Sequence, residues 1–243
     1  TGPTSGLVAY YPFNGNANDE SGNGNHGIVN GATLTADSGS AANKAYSFDG
    51  TNDEIRVADN SDISGLSAIT FSAWVKWNNV SGSQSIISKW TRNNTSKGEF
   101  LLQAFSGTKF RVAIMDRGTA GYPRVVRDAT FSYTTGQWYH LLASYDGTTG
   151  AGVKVFVNGT EVSTSLFAGS VSGAIADTTG TLRIGCKDVE EGDGNTFQHF
   201  NGTIDDVRIY NRALSAGEVS QLHSQEAGPG TKKWEFTAGS GIT

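Results

Sequence analysis

Apolar and polar positions alternate along this chain in short runs. Residues 7–13, 45–48, 54–57, 70–77, 85–89, 99–105, 109–115, 138–145, 153–157, 181–186 and 203–210 are each four to eight residues long and rich in β-branched or aromatic side chains. Gly, Asn, Asp or Ser bounds each run, the pattern of strands joined by tight turns. Val153, Val155 and Val157 alternate with Lys154 and Phe156 and lead into Asn158-Gly159, which predicts a two-residue type I′ hairpin. On 109–115, Phe110, Val112 and Ile114 share one face while Arg111, Ala113 and Met115 share the other. Leu182 and Ile184 oppose Arg183 and Lys187 in the same way. One helix is predicted, opened by Ser215 and Glu218 at capping-box spacing and carrying Val219 and Leu222. Many short strands and one short C-terminal helix predict an all-β fold, a two-sheet antiparallel sandwich.

Composition excludes several alternatives. Hydrophobic residues are 37% of the 243 and aromatics 10%, enough for a sizeable core, so disorder is ruled out. The 32 glycines follow no three-residue period, which rules out a collagen-like chain. Cys186 stands alone, so there is neither a disulfide framework nor a Cys-rich zinc site. Apolar runs reach only about five residues, too short to span a bilayer, and no membrane insertion is expected. A net charge of −5 with scattered Lys and Arg argues against nucleic acid as a partner. The low charge, single Cys and abundant Asn and Gly fit a secreted or cell-surface module. Residues 1–6 read as a linker or trimmed remnant, 7–224 as the domain, and 225–243 as a linker plus the start of something further. In that tail Lys232, Lys233, Trp234, Glu235, Phe236 and Thr237 resume strand-like alternation. The tail resembles the opening strand of a quinoprotein-type β-propeller repeat, and two readings stay open: a severed second domain, or a strand at 232–237 exchanged in self-association.

Several motifs carry a wider resemblance. They are the opening stretch 7–27 with Asn14, Asn16, Asn18, Asp19 and Ser21, then Tyr46-Ser47-Phe48-Asp49-Gly50 and Phe71-Ser72-Ala73-Trp74-Val75. Trp138-Tyr139-His140-Leu141, Val155-Phe156-Val157-Asn158-Gly159 and the run from Phe200 through Ile204-Asp205-Asp206-Val207 to Ser215 complete the series. In this order they resemble a laminin-G-like jelly-roll domain of the concanavalin A-like lectin and glucanase superfamily, over about Leu7 to His223. The resemblance implies two curved antiparallel sheets with the first strand beside the last. It also implies a calcium ion near those strands, held by Asp49 and Asp205 or Asp206 with added oxygens from Asn14 or Asp19. Calcium takes six to eight oxygen ligands, and these stretches are rich in them.

Scaffolds of this kind carry many activities, so the residues must decide. A retaining glucanase needs two carboxylates about 5–5.5 Å apart, and no strand here supplies the Glu-x-Asp-x-x-Glu pattern that would place them. Serine-hydrolase, zincin and phosphate-loop motifs are missing from the sequence. The chain therefore reads as non-catalytic. Sugar binding needs flat apolar rings with polar groups at their rim. Trp74 and Trp138 lie in strand motifs and read as structural, as does His140. Trp90, Tyr122 and Phe197 lie at or in polar loops and are candidate ring platforms, Trp90 and Arg92 entering one such loop together. Arg111, Arg183 and Lys187 are candidate hydrogen-bond donors on an open sheet face. A carbohydrate, whether polysaccharide or glycan, is thus one expected partner. A cell-surface protein, bound in an adhesive role, is the alternative.

Overall fold

In the computed structural model, described for residues 2–90, 98–115, 124–171, 173–187 and 198–226, the strand pattern resolves into two eight-stranded antiparallel sheets. The strands are β1 (Leu7–Tyr11), β2 (Gly27–Asn30), β3 (Thr33–Thr35), β4 (Ala45–Asp49), β5 (Glu54–Val57), β6 (Ile69–Trp77), β7 (Ser83–Lys89) and β8 (Phe100–Phe105). They continue as β9 (Lys109–Met115), β10 (Arg124–Thr130), β11 (Trp138–Tyr145), β12 (Val153–Val157), β13 (Thr160–Val162), β14 (Thr164–Gly169), β15 (Leu182–Ile184) and β16 (Asn201–Tyr210), followed by helix α1 (Ala216–Glu226). The back sheet runs β13-β12-β11-β6-β16-β4-β3, with β1 also on β16. The front sheet runs β14-β10-β9-β8-β7-β15-β5-β2. The first strand does lie beside the last, Tyr10 opposite Arg208 and Tyr11 opposite Val207.

The inner faces of both sheets meet in one core. Phe71, Val75 and Trp77 from the back sheet and Phe100, Leu102, Phe110, Val112 and Ile114 from the front sheet belong to a single buried cluster. Trp77 is its largest fully buried side chain and contacts the rings of Phe110, Tyr133, Tyr139 and Phe200. A bulge in β7 between Ser85 and Ile87 turns both Ile86 and Ile87 into the core. The Asn158-Gly159 hairpin forms as the sequence predicts, with both residues at positive φ and Val157 opposite Thr160. Gly185 is required by backbone conformation and packing: its φ is +82° and a Cβ there would strike the ring of Phe48.

Helix α1 closes the outer face of the back sheet through Leu142, Phe156, Tyr210, Leu214, Val219 and Leu222. Its capping box is present, Ser215 Oγ accepting the Glu218 N–H at 3.3 Å and Glu218 Oε2 accepting the Ser215 N–H at 2.8 Å. The outer face of the front sheet carries no such helix among the described residues, and it is where polar and aromatic side chains collect.

Five strands were not evident from alternation. The most consequential are β10 and its antiparallel partner β14, whose register shifts between Val126 and Arg127 so that Phe167 is the extra residue on β14. Val126 and Asp128 both face outward from β10, so the polar-apolar alternation there is broken.

Candidate functional site

The outward side chains of β8, β9, β10 and β14 converge at one corner of the front sheet. Register sets the meeting: Arg111 is opposite Asp128, Lys109 is opposite Phe105, and Ser165 is opposite Asp128 on the other side. Arg111 grips Asp128 side-on, Nε to Oδ1 at 2.7 Å and Nη2 to Oδ2 at 2.9 Å. Lys109 Nζ donates to the same Oδ2 at 2.8 Å. Burial alone would raise the Asp128 carboxyl, but the hydrogen bonds and charges of Arg111 and Lys109 outweigh it and hold this acid below the usual range. It stays ionised at neutral pH.

Two rings enclose the guanidinium. Its Cζ lies 3.7 Å from the centroid of Phe167 and 4.8 Å from that of Phe105, while Lys109 Nζ lies 5.9 and 5.3 Å from the same rings. Phe167 is 60% exposed and its strand neighbour Leu166 57%, so β14 presents apolar surface where hydrophobic side chains are ordinarily covered. Beside this ledge runs an open groove of about 570 Å³, lined by Asp128, Thr130, Glu161, Val162, Ser163, Thr164 and Ser165. An exposed ring next to a fixed ion cluster and a row of hydroxyls can stack against an apolar face while exchanging hydrogen bonds at its edge.

Arg183 also faces outward on the front sheet, as alternation predicts, and donates through Nη1 to Glu54 Oε2 at 2.6 Å. Glu54 accepts from Arg56 as well. Burial would raise the Glu54 carboxyl, yet hydrogen bonds from Arg56 and Arg183 bring it below its ordinary value.

Trp90 differs from the expectation of an open platform. Only 7% exposed, it packs with Leu101, Ala113, Met115, Val126 and Ala176, and a Cβ on Gly98 would collide with its indole. Lys187 Nζ stands 5.3 Å from that ring. Next to it Lys89, fully buried, donates to Glu99 Oε1 at 2.6 Å and to Asp59 Oδ1 at 2.7 Å. The polar neighbours of Trp90 in sequence pointed outward, but the strands around it close over its ring. Arg92, Tyr122 and Phe197 lie outside the described residues, as does the tail segment 232–237.

The residues expected to hold calcium also make hydrogen bonds of the fold. Asp19 Oδ1 accepts the N–H of Tyr10 and Ser21, and Oδ2 accepts the Asn25 N–H and the Ser21 hydroxyl. Asp49 Oδ1 accepts the N–H of Thr51 and Asn52 in a turn. Asp206 lies where the β16–β6 register shifts, with φ +45°, and it accepts the Tyr10 hydroxyl at 2.9 Å. Asp205 Oδ1 accepts the Asp206 N–H, and Asn14 Oδ1 is buried on the opening loop. Among the described residues no three His, Cys, Asp or Glu side chains gather as a metal site, while calcium also takes amide and backbone carbonyl oxygens, of which the opening loop has several.

Sequence alternation had singled out Arg111 but not Phe105, Lys109, Asp128 or Phe167. The signal for Lys109 was present in the same alternation. Phe167 and Asp128 required strands β14 and β10.

Two face-packed antiparallel sheets with the terminal strands adjacent define a jelly-roll sandwich of the concanavalin A type. The chain belongs to a laminin G family of the concanavalin A-like lectin/glucanases superfamily, whose model matches residues 49–220. No curated protein sequence matches it. Solved structures do. Domain 4 of AbnA, a GH43 extracellular arabinanase from Geobacillus stearothermophilus in complex with arabinotriose, matches at TM-score 0.60 and 22% identity over 89% of this chain and 98% of that one. The binding domain of Paraclostridial Mosquitocidal Protein 1 matches at TM-score 0.63 and 18% identity, over 90% of this chain and 52% of that one. The binding domain of Botulinum Neurotoxin DC in complex with SialylT matches at TM-score 0.62 and 14% identity, over 91% and 52%. This chain spans about half of the toxin domains, and these likenesses establish the fold.

Proposed function

We propose that this domain is a non-catalytic, extracellular carbohydrate-recognition module that binds its glycan on the outer face of the front sheet, at the corner of β8, β9, β10 and β14. The observation that carries the reading is Phe167, an exposed ring seated on the Arg111–Asp128 pair and bordered by a hydroxyl-lined groove. Relatives of the same fold support it, one solved with arabinotriose and one with SialylT. The extracellular reading draws on composition and on the arabinanase being described as extracellular.

Among the described residues, the arrangement of acids on the outer face of the front sheet speaks against hydrolysis there. Glu54 and Asp128 are the outward front-sheet carboxylates on β5 and β10, five strands apart. At about 4.8 Å per strand they stand roughly 24 Å apart, against the 5–10 Å or so that a glycosidase pair needs. Each is also committed to two cations and held ionised, so neither is available as a proton donor.

Affinity electrophoresis through gels cast with single polysaccharides tests the proposal. Retardation in one or more gels, lost in Phe167→Ala, is expected. Equal retardation of both proteins would move the site elsewhere, and retardation in none would remove the carbohydrate reading.

One observation favours a second reading. β14 pairs with β10 alone among the described strands, while Leu166 and Phe167 project from it exposed. An edge of this kind can also add a strand from another protein, as in an adhesive module. Concentration-dependent self-association abolished by Leu166→Lys, without glycan binding, would select that reading.

A further inference from the structure

We infer that the glycan recognised at this corner is anionic, a polysaccharide bearing uronic-acid carboxylates, with one carboxylate received between Arg111 and Lys109 and its sugar ring laid on Phe167. The inference rests on the carbohydrate reading above and names its ligand class.

Charge is the first support. Lys109 and Arg111 share a single carboxylate, Asp128, and the groove's other acid, Glu161, is paired with Lys154, which leaves the corner with one positive charge in excess on a protein of net charge −5. The excess is therefore local, and a ligand matched to it carries negative charge. Donor count is the second. The side-on pair uses Nε and Nη2 of Arg111, so Nη1 remains for a ligand, and Lys109 Nζ has spent one of its three N–H donors on Asp128. Side-chain exposures of 17% for Arg111 and 33% for Lys109 mean that neither side chain is sealed from solvent.

Preorganisation is the third. Phe105 and Phe167 hold the guanidinium between them and Asp128 fixes its rotation, so little side-chain freedom is lost when a carboxylate arrives. The hydroxyls of Thr130, Ser163 and Ser165 in the adjoining groove suit ring hydroxyls rather than further charge. A single excess charge flanked by a ring and hydroxyls matches one carboxylate per sugar better than a dense phosphate or sulfate array.

The test compares alginate and polygalacturonate with the same polymers after esterification of their carboxylates, alongside neutral arabinan and dextran sulfate. Binding to a uronate polymer, lost on esterification and weakened about tenfold in Lys109→Met, is the expected result. Lys109→Met keeps the Arg111–Asp128 pair, and an unchanged melting temperature will show that it is folded. Equal binding of acid and ester forms, or binding to arabinan alone, would overturn the anionic inference and leave the carbohydrate reading standing. Dextran sulfate bound as tightly as the uronates would replace carboxylate recognition with general anion binding. Failure of every polysaccharide would overturn both readings.

Discussion

Arg111 lies against Phe167 with its Cζ 3.7 Å from the ring centroid, while its Nε and Nη2 bind Asp128 from the side. An arginine so placed does two things at once. It gives the exposed ring a fixed seat on the sheet, and it keeps a hydrogen-bonding edge beside that ring.

The first prediction separates binding from folding at this pair. Phe167→Ala should weaken glycan binding by about tenfold, in line with ~1.4 kcal/mol for a lost stacking contact. The ring is already 60% exposed, so its removal should change unfolding free energy by no more than about 1 kcal/mol. Titration calorimetry and urea denaturation of the same preparations check the two halves.

The buried network beside Trp90 should behave in the opposite way. Lys89 is fully buried and Glu99 nearly so, and each relies on the other for charge balance. Lys89→Met should cost about 3–5 kcal/mol by stranding the Glu99 and Asp59 carboxylates. The double change Lys89→Met with Glu99→Leu should recover part of that loss, measured as a positive coupling in a double-mutant cycle.

Acid sensitivity should come in part from the rings beneath α1. His140 on β11 packs against Trp74 of β6 and His223 of α1, with centroids 5.3 and 5.8 Å away, and Arg208 of β16 also acts on it. Burial first, then the charges of His223 and Arg208, lower His140 from 6.5 to about 3. The unfolded chain takes up this proton below about 6.5, whereas the native state refuses it until about 3. The stabilisation is thus complete above the upper value and falls by about 1.4 kcal/mol per pH unit on the way down. His140→Phe should flatten that slope relative to the parent in urea melts taken across the window.

The helix cap offers a smaller effect. Ser215→Ala removes one half of the capping box and should cost about 1 kcal/mol. Glu218 remains held by Arg212, whose Nη2 lies 2.6 Å from its Oε1, so α1 should stay docked. Thermal unfolding followed by circular dichroism will show a lowered midpoint with native helix content retained.

How much was legible in the sequence depended on how local its cause was. The Asn158-Gly159 hairpin and the Ser215–Glu218 cap are set within a few residues, and both formed as expected. Arg111 and Arg183 were placed on the correct face because strand alternation decides it. Strand β10 was missed because Val126 shares the outer face with Asp128, where it packs with Leu101 and Met115 of neighbouring strands. Without β10 the partner of Arg111 is invisible, and without β14 so is Phe167. Trp90 misled for a related reason: its polar sequence neighbours suggested exposure, while the side chains that bury it come from β8, β9 and β10. The calcium set rests on resemblance, and Asp19 accepts hydrogen bonds at both its oxygens on the loop that β1 enters.

The most direct test of the account is to locate the ligand on the protein. In a titration of the isotopically labelled domain with trigalacturonate, followed by backbone and side-chain chemical shifts, the largest changes should fall on Lys109, Arg111, Asp128 and Phe167. Saturable shifts confined to the back sheet and α1, with those four residues unmoved, would contradict it.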